Sequence, residues 1–481
     1  MLLAYTLYGI GGLLTVLILT VIIRTLAFVP SKTESKNTSL GILADDGLTA
    51  SLAEMVKCAT VSSRDKSLED NSEFERFKSL LPRLFPKVYD KCENISISDR
   101  SILLKWSGRN HKDVTVLMSH YDVVEADSEG WQHNPFGGQI VDGYLWGRGT
   151  LDTKCTINGI LSAAERLIGE GFVPENDIYF AFGGDEEING HGASDIVEYF
   201  AQKNITPAFV LDEGGAVTEG AFPGVKSPIA LIGIAEKGLL NVEYSIKGGG
   251  GHASAPNAKT PIGRLSAACV RIEHGGFDYH LTEPAELLFN TAGRHSTLLY
   301  RVIFANLWLF GPVLSLIAKQ RGGELNAMLR TTTAFTMMEG SRGVNVIPSV
   351  AKMASNHRIL PGESVETTVD RIKRLADDDG IEIRVINSHE PSVISKTDCD
   401  AYRRLCDIVG EVWQNAIVSP YLMVACTDSR HWGRICDRVY RFSPLELSNE
   451  LRSTIHGNDE RIPTVQIAKC TEFYSKLMKK I

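Results

Sequence analysis

The sequence has no CxxC pair, no block of lysine and arginine, no internal repeat and no low-complexity tract, and nothing before Arg24 carries a charge. Nine scattered cysteines, odd in number and without metal-like spacing, are neither a disulfide framework nor a thiolate metal site. Cys155 reads as a small packed side chain, because no histidine with an orienting partner stands beside it as a nucleophile requires. A net charge of -8 without a basic cluster argues against nucleic acid, whose binding relies on neutralising phosphates.

At 481 residues the chain is too long for one core, and two domains are expected. The uncharged residues 1–23 are long enough to cross a bilayer, and they serve equally as a long signal peptide with Thr25-Leu26-Ala27 as a cleavage site. Either reading sends the body into the secretory pathway, membrane-anchored with a lumenal or extracellular body, or secreted. Arg24 after the apolar run pulls the other way under the positive-inside tendency. Three acceptor sequons, at Asn37, Asn94 and Asn204, favour the lumenal side. Residues 30–40, rich in serine, threonine and lysine, suit an exposed stalk.

In the first half of the body, apolar runs at 114–118, 178–182 and 208–211 each end at acidic or histidine residues, and 155–170 has helical spacing: an α/β rhythm. The run at 178–182 ends at Gly183-Gly184 and is followed by Asp185, Glu186 and Glu187. That places two glutamates at the carboxyl end of a strand, where open α/β sheets hold their chemistry, although adjacent acids after a strand also make a solvated turn. After Lys237 the pattern changes to β-α-β-β-α-β, the order of a ferredoxin-like unit, with strands near 239–246, 331–338, 350–358 and 381–386 and helices near 260–273 and 365–376. The expected organisation is an anchor or signal segment with stalk (1–45), a first catalytic part (46–236), an inserted lid or dimerisation domain (237–394) and a second catalytic part (395–481). Residues 298–318, apolar apart from Arg301 and broken by Gly311-Pro312, read as a buried or interface helix pair, with a surface for lipid or a fatty substrate tail as the alternative.

The polar residues at the ends of apolar runs are His120, Asp122, Asp152, Glu186, Glu187 and Asp212, joined near the C-terminus by His456. Each alone has an ordinary structural use, such as the helix cap open to Asp212. Together they are imidazoles and carboxylates without thiolate, the donors that hard or borderline divalent cations select. Two histidines and three carboxylates suffice for two ions sharing one ligand, and only a carboxylate has two oxygens with which to bridge.

His120-Tyr-Asp122, Gly149-Thr-Leu-Asp152-Thr-Lys154, Gly184-Asp-Glu-Glu187, Asp212-Glu-Gly214 and Thr454-Ile-His456-Gly457 resemble, in order, the motif set of the co-catalytic zinc peptidase family that contains carboxypeptidase S, aminoacylase and glutamate carboxypeptidase. The long apolar N-terminus and the 298–318 insertion are most similar to its carboxypeptidase S and N-fatty-acyl-amino-acid synthase/hydrolase branch. The resemblance implies an α/β zinc-peptidase sheet flanked by helices, with the ferredoxin-like unit as an inserted lid. It implies two Zn ions per subunit, one held by His120, Asp152 and Asp212 and the other by Asp152, Glu187 and His456, with Asp152 the bridge. The family has Asp or Glu at the position of Asp212. The resemblance further gives Asp122 the task of fixing the His120 ring, Glu186 that of general base, and His252 that of a donor to the substrate oxygen, acting in its own subunit or across a homodimer formed through the lid. Asn345 and Arg358 fall to substrate binding, the guanidinium matching a free carboxylate, and the peptide after Asp152 is expected to be cis. The implied reaction is cleavage, or reversible formation, of an amide next to a free C-terminal carboxylate, in a small peptide or an N-acyl amino acid. A non-catalytic binding protein on the same fold is the alternative.

Overall fold

The computed structural model describes residues 2–30 and 46–481, so most of the expected stalk and the sequon at Asn37 lie outside it. Helix α1 (Leu2–Ala27) comes first, and from Tyr5 onward its apolar side chains are almost all exposed. Strands β1 (Glu93–Ile95), β2 (Ser101–Trp106) and β3 (Asn110–His120) follow, then α2 (Lys154–Gly169), β4 (Asn176–Gly183), α3 (Gly192–Gln202), β5 (Phe209–Thr218) and β6 (Ile229–Glu236). The chain then leaves for a second sheet through β7 (Gly238–Lys247), α4 (Pro261–Gly275), α5 (Glu283–Arg294), α6 (Leu298–Ala305), α7 (Leu307–Arg321), α8 (Gly323–Leu329), β8 (Thr332–Glu339), β9 (Val350–Ile359), α9 (Val365–Ala376) and β10 (Ile381–His389). It returns with α10 (Asp400–Val412), β11 (Ile417–Met423), β12 (Val439–Leu447) and α11 (Thr464–Lys479).

The large sheet has the order β1-β2-β4-β3-β5-β12-β6-β11 and mixes parallel and antiparallel pairs. Its centre is buried on both faces, which is why β4 reads as an unbroken apolar run rather than an alternating one. On one face α2, α10 and α11 pack against side chains such as Phe180 and Phe182; on the other α3 packs with Tyr179, Phe200 and Trp432. Burying each large apolar side chain contributes about 1.5–3 kcal/mol, so the central strands hold the sheet and its loops in place.

The second sheet has the order β8-β9-β7-β10, all pairs antiparallel, with α4 and α9 on one face. This is the β-α-β-β-α-β arrangement expected from the alternation in sequence, which survives because one face of the sheet stays wet. Helix starts are marked as the residues suggest: Thr260 accepts from Gly263 N ahead of Pro261, and Ser364 and Thr367 form a capping box at α9. Helices α5 to α8, although they interrupt this unit in sequence, pack instead on β6 and β11 at the edge of the large sheet, through Leu288, Phe289, Phe304 and Met328 against Ile229, Leu231 and Tyr421.

Candidate metal centre

β3 lies between β4 and β5, and its parallel register with β4 sets His120 opposite Gly183. The carboxyl ends of β3 and β4 therefore open side by side, carrying His120 and the loop with Glu186 and Glu187, and next to them the pair Asp212-Glu213 lies within β5 just past Leu211, its last residue paired with β3. The glycine pair after β4 is a packing requirement: a Cβ on Gly183 would stand 2.7 Å from Asp428 Oδ2, and one on Gly184 2.4 Å from the Tyr121 hydroxyl. The peptide between Asp152 and Thr153 is cis, as expected.

Asp152 stands at the middle. Its Oδ1 is 3.0 Å from His120 Nε2 and its Oδ2 is 3.0 Å from His456 Nε2. Glu213 Oε1 lies 3.3 Å from His120 Nε2, and Glu187 Oε2 lies 3.2 Å from His456 Nε2. Five side chains thus form two donor triads, His120–Asp152–Glu213 and Asp152–Glu187–His456, with Asp152 in both. Donors on a tetrahedral ion bonded at ~2.0–2.1 Å stand roughly 3.3 Å apart, so these spacings and this all-nitrogen-and-oxygen donor set fit two divalent ions such as zinc. His120 Nδ1 lies 3.0 Å from the Asp122 carbonyl oxygen, which can only accept, so Nδ1 carries the proton and Nε2 is left as a donor to a cation.

The carboxylate of Asp122 does more than face that ring at 3.4 Å. It accepts from Glu186 N and Glu187 N, each at 3.1 Å, and from Ser62 Oγ at 2.7 Å, fixing the backbone of the two-glutamate loop. Glu186 belongs to neither triad. Burial raises its carboxyl well above the usual range; His120 opposes, and Asp428, Glu213 and Glu187 add to the rise. Burial likewise pushes Glu213 up to about 8, against His120 and with Asp152 and Asp212, and Asp428 up to about 7. His456, exposed enough to meet solvent, is raised to about 10 by Asp152 and Glu187. Carboxylates outnumber the imidazoles that face them, and bound cations would relieve that imbalance.

Asp212, expected as the third ligand beside His120 and Asp152, is replaced there by its neighbour. Successive strand residues point to opposite faces, and on β5 it is Glu213 that turns to His120 while Asp212 Oδ2 accepts from Ser429 N at 2.9 Å. The sequence carries the cue in the pair Asp212-Glu213, but choosing between them needs the strand's facing. Sequence reasoning also passed over Glu460. Its buried carboxylate accepts from Leu151 N at 2.7 Å, Gly149 N at 3.1 Å and Arg148 Nη1 at 2.6 Å, clamping the loop that presents Asp152.

The remaining predicted residues lie apart from the triads. His252 is exposed on a two-residue strand paired with Val346–Ile347, its Nδ1 accepting from Ser254 N, and Asn345, also exposed, accepts from Ala253 N through its backbone oxygen. Arg358 on β9 is half-buried with Nη1 3.1 Å from Cys426 Sγ, two residues from Asp428, which brings it to the junction between the two sheets.

A family model described as peptidase family M20/M25/M40 matches residues 116–480. The chain is 36% identical to the probable carboxypeptidase S-like 2 of Dictyostelium discoideum over 92% of its own length and 86% of that protein's. It is 34% identical to the N-fatty-acyl-amino acid synthase/hydrolase PM20D1 of Xenopus tropicalis, covering 97% of this chain and 93% of the relative. Among solved structures the M20 family metallo-carboxypeptidase Sso-CP2 of Sulfolobus solfataricus superposes with a TM-score of 0.68 at 18% identity, over 91% of this chain and all of that one, a likeness of fold.

Proposed function

The chain belongs to peptidase family M20/M25/M40, a family of metal-dependent peptidases and amidohydrolases, and from that premise we propose that it uses two zinc ions to cleave, or reversibly form, the amide next to a free C-terminal carboxylate. The observation that carries this reading is Asp152, whose two oxygens face two different histidines, each backed by its own glutamate. Such residues would hold one ion at His120, Asp152 and Glu213 and the other at Asp152, Glu187 and His456. Two bound ions would supply acidification of a water and polarisation of the scissile carbonyl. Glu186, half-buried beside both triads and a member of neither, takes the proton of the attacking water and returns it to the leaving nitrogen. Asp122 keeps Glu186 and Glu187 in position through their amides, and Glu460 does the same for Asp152. Arg358 at the sheet junction binds the substrate carboxylate.

Substrates in this reading are small peptides or N-acyl amino acids, supported by relatives that bear the names carboxypeptidase S-like and N-fatty-acyl-amino acid synthase/hydrolase. Incubating the full chain, zinc-loaded, with a pool of blocked dipeptides and N-acyl amino acids and reading products by mass spectrometry tests this. Turnover of neither class would leave a binding protein on this fold. His252 and Asn345, exposed at the small two-stranded ribbon beside the second sheet, reach the triads by closure of that unit or from a second copy of the chain. His252→Ala should then lower turnover while zinc content stays the same.

The N-terminal helix runs apolar and exposed from Tyr5 to Ala27, long enough to cross a bilayer, and the sequons at Asn94 and Asn204 sit on exposed residues. Both features support a retained anchor with a lumenal or extracellular, glycosylated body. Glycosidase treatment should increase gel mobility, and an unchanged band would count against that side of the membrane.

A further inference from the structure

The end of α1 is built into the body. Arg24 Nε donates to the Ala305 carbonyl at 3.0 Å, and Asn306, fully buried between α6 and α7, donates to Val302 O at 2.9 Å and Thr25 Oγ1 at 3.3 Å. Arg294 adds a bond to Val29 O at 3.2 Å and lies over the Phe28 ring. These polar contacts fix where the α6–α7 corner stands along the apolar helix.

Thr25 is two residues, and Val21, whose carbonyl Asn306 also approaches, six residues, short of the end of the apolar span at Ala27. At ~1.5 Å per residue those positions are about 3 and 9 Å inside that end. Helices lying in the plane of a bilayer bury their apolar face about 5–10 Å deep, at the boundary of headgroups and acyl chains. The corner is therefore held at interfacial depth by α1 itself.

The two helices meet at 107° and neither is a span, since 8 and 15 residues at ~1.5 Å each reach about 12 and 22 Å against a hydrocarbon core of about 30 Å. Yet they expose Leu298, Leu299, Trp308, Val313 and Leu316, each more than half accessible. Five exposed large apolar side chains on two adjoining helices mark a contact surface. Trp308, the side chain most at home where one end is apolar and the other wet, borders the same cavity as Arg24 and Phe28 at the foot of α1. Lys319 and Arg321 in the last turn of α7 supply positive charge for lipid headgroups.

We propose that the α6–α7 elbow is a bilayer-docking surface, seated in the headgroup region of the membrane that α1 crosses. This rests on α1 being a retained anchor. The body is then held with one fixed face toward the lipid rather than swinging on a tether, and the sheet edge packed by α5 to α8 faces the membrane from which an apolar substrate would come.

Full-length protein reconstituted into phosphatidylcholine vesicles, some made with lipid brominated near the headgroup end of the acyl chains, provides the test. Among the six tryptophans only Trp308 is more than half exposed, so its emission can be isolated as the difference between the wild type and Trp308→Phe. Bromolipid should quench that difference, and acrylamide in the water should not. Leu299→Glu combined with Leu316→Glu should restore acrylamide access while the chain still floats with the vesicles. A floating protein whose Trp308 is open to acrylamide, or shielded from both quenchers as in a dimer of elbows, overturns the docking. A protein that fails to float overturns the anchor as well.

Discussion

Glu186 and Glu187 are consecutive, and the centre uses them differently. Glu187 lies 3.2 Å from His456, whereas Glu186 stands outside both triads with its amide tied to Asp122. Glu186→Gln should keep both metal ions and still bind substrate while turnover falls by roughly 10²–10⁴-fold, the usual contribution of a positioned base. Metal analysis alongside kinetics checks this, and loss of metal would reverse the two assignments. The same logic separates Asp212 from Glu213. Glu213→Ala should leave one ion substoichiometric, while Asp212→Asn, which can still accept from Ser429 N, should retain both. The opposite pattern in metal content would return Asp212 to the centre. His120 and the glutamate pair were legible because each follows an apolar run, whereas Asp152 and His456 were read through the motifs that resemble the family's. Glu213 was not, because the facing of two adjacent acids depends on how β5 sits between β3 and β12.

At the scale of elements, the loop from Arg148 to Asp152 has little regular structure and is held by Glu460, which follows His456 by four residues. The Arg148–Glu460 pair is buried at both ends, and removing one partner of such a pair costs about 3–5 kcal/mol. Glu460→Ala should shift the urea midpoint accordingly, and a change under about 1 kcal/mol would show the clamp to be idle. Lys237 acts at the join of β6 and β7, where its Nζ donates to the carbonyls of Ala327 and Arg330 at the C-terminal end of α8. Burial lowers its pKa from 10.5 to about 7. Between those values the unfolded chain holds a proton that the folded one has released, so this group makes stability rise with pH from about 7 to about 10.5. Lys237→Met should flatten the slope in that window relative to wild type, and parallel curves would refute it.

For the whole molecule, metal that binds the folded chain and not the unfolded one stabilises by mass action. Dialysis against a chelator should lower the melting temperature by several degrees, with zinc restoring it, since about 1 kcal/mol moves even a domain of about 150–250 residues by roughly 2–4 °C and structural zinc can contribute several times that. An unchanged melting curve after proven metal loss would mean that the carboxylate cluster tolerates its own charge. The sequence by itself determined the α/β rhythm, the alternating second unit, the apolar N-terminal helix and the types of residue at the centre, because burial on two faces, burial on one and strand-end chemistry each leave a local pattern. Tertiary structure decided what no local pattern encodes. It chose Glu213 over Asp212 by strand facing, brought Glu460 across more than three hundred residues to the Asp152 loop, and turned α5 to α8 away from the unit they interrupt. It also set the exposed elbow of α6 and α7 against the foot of α1, because only packing brings residue 24 to residue 305.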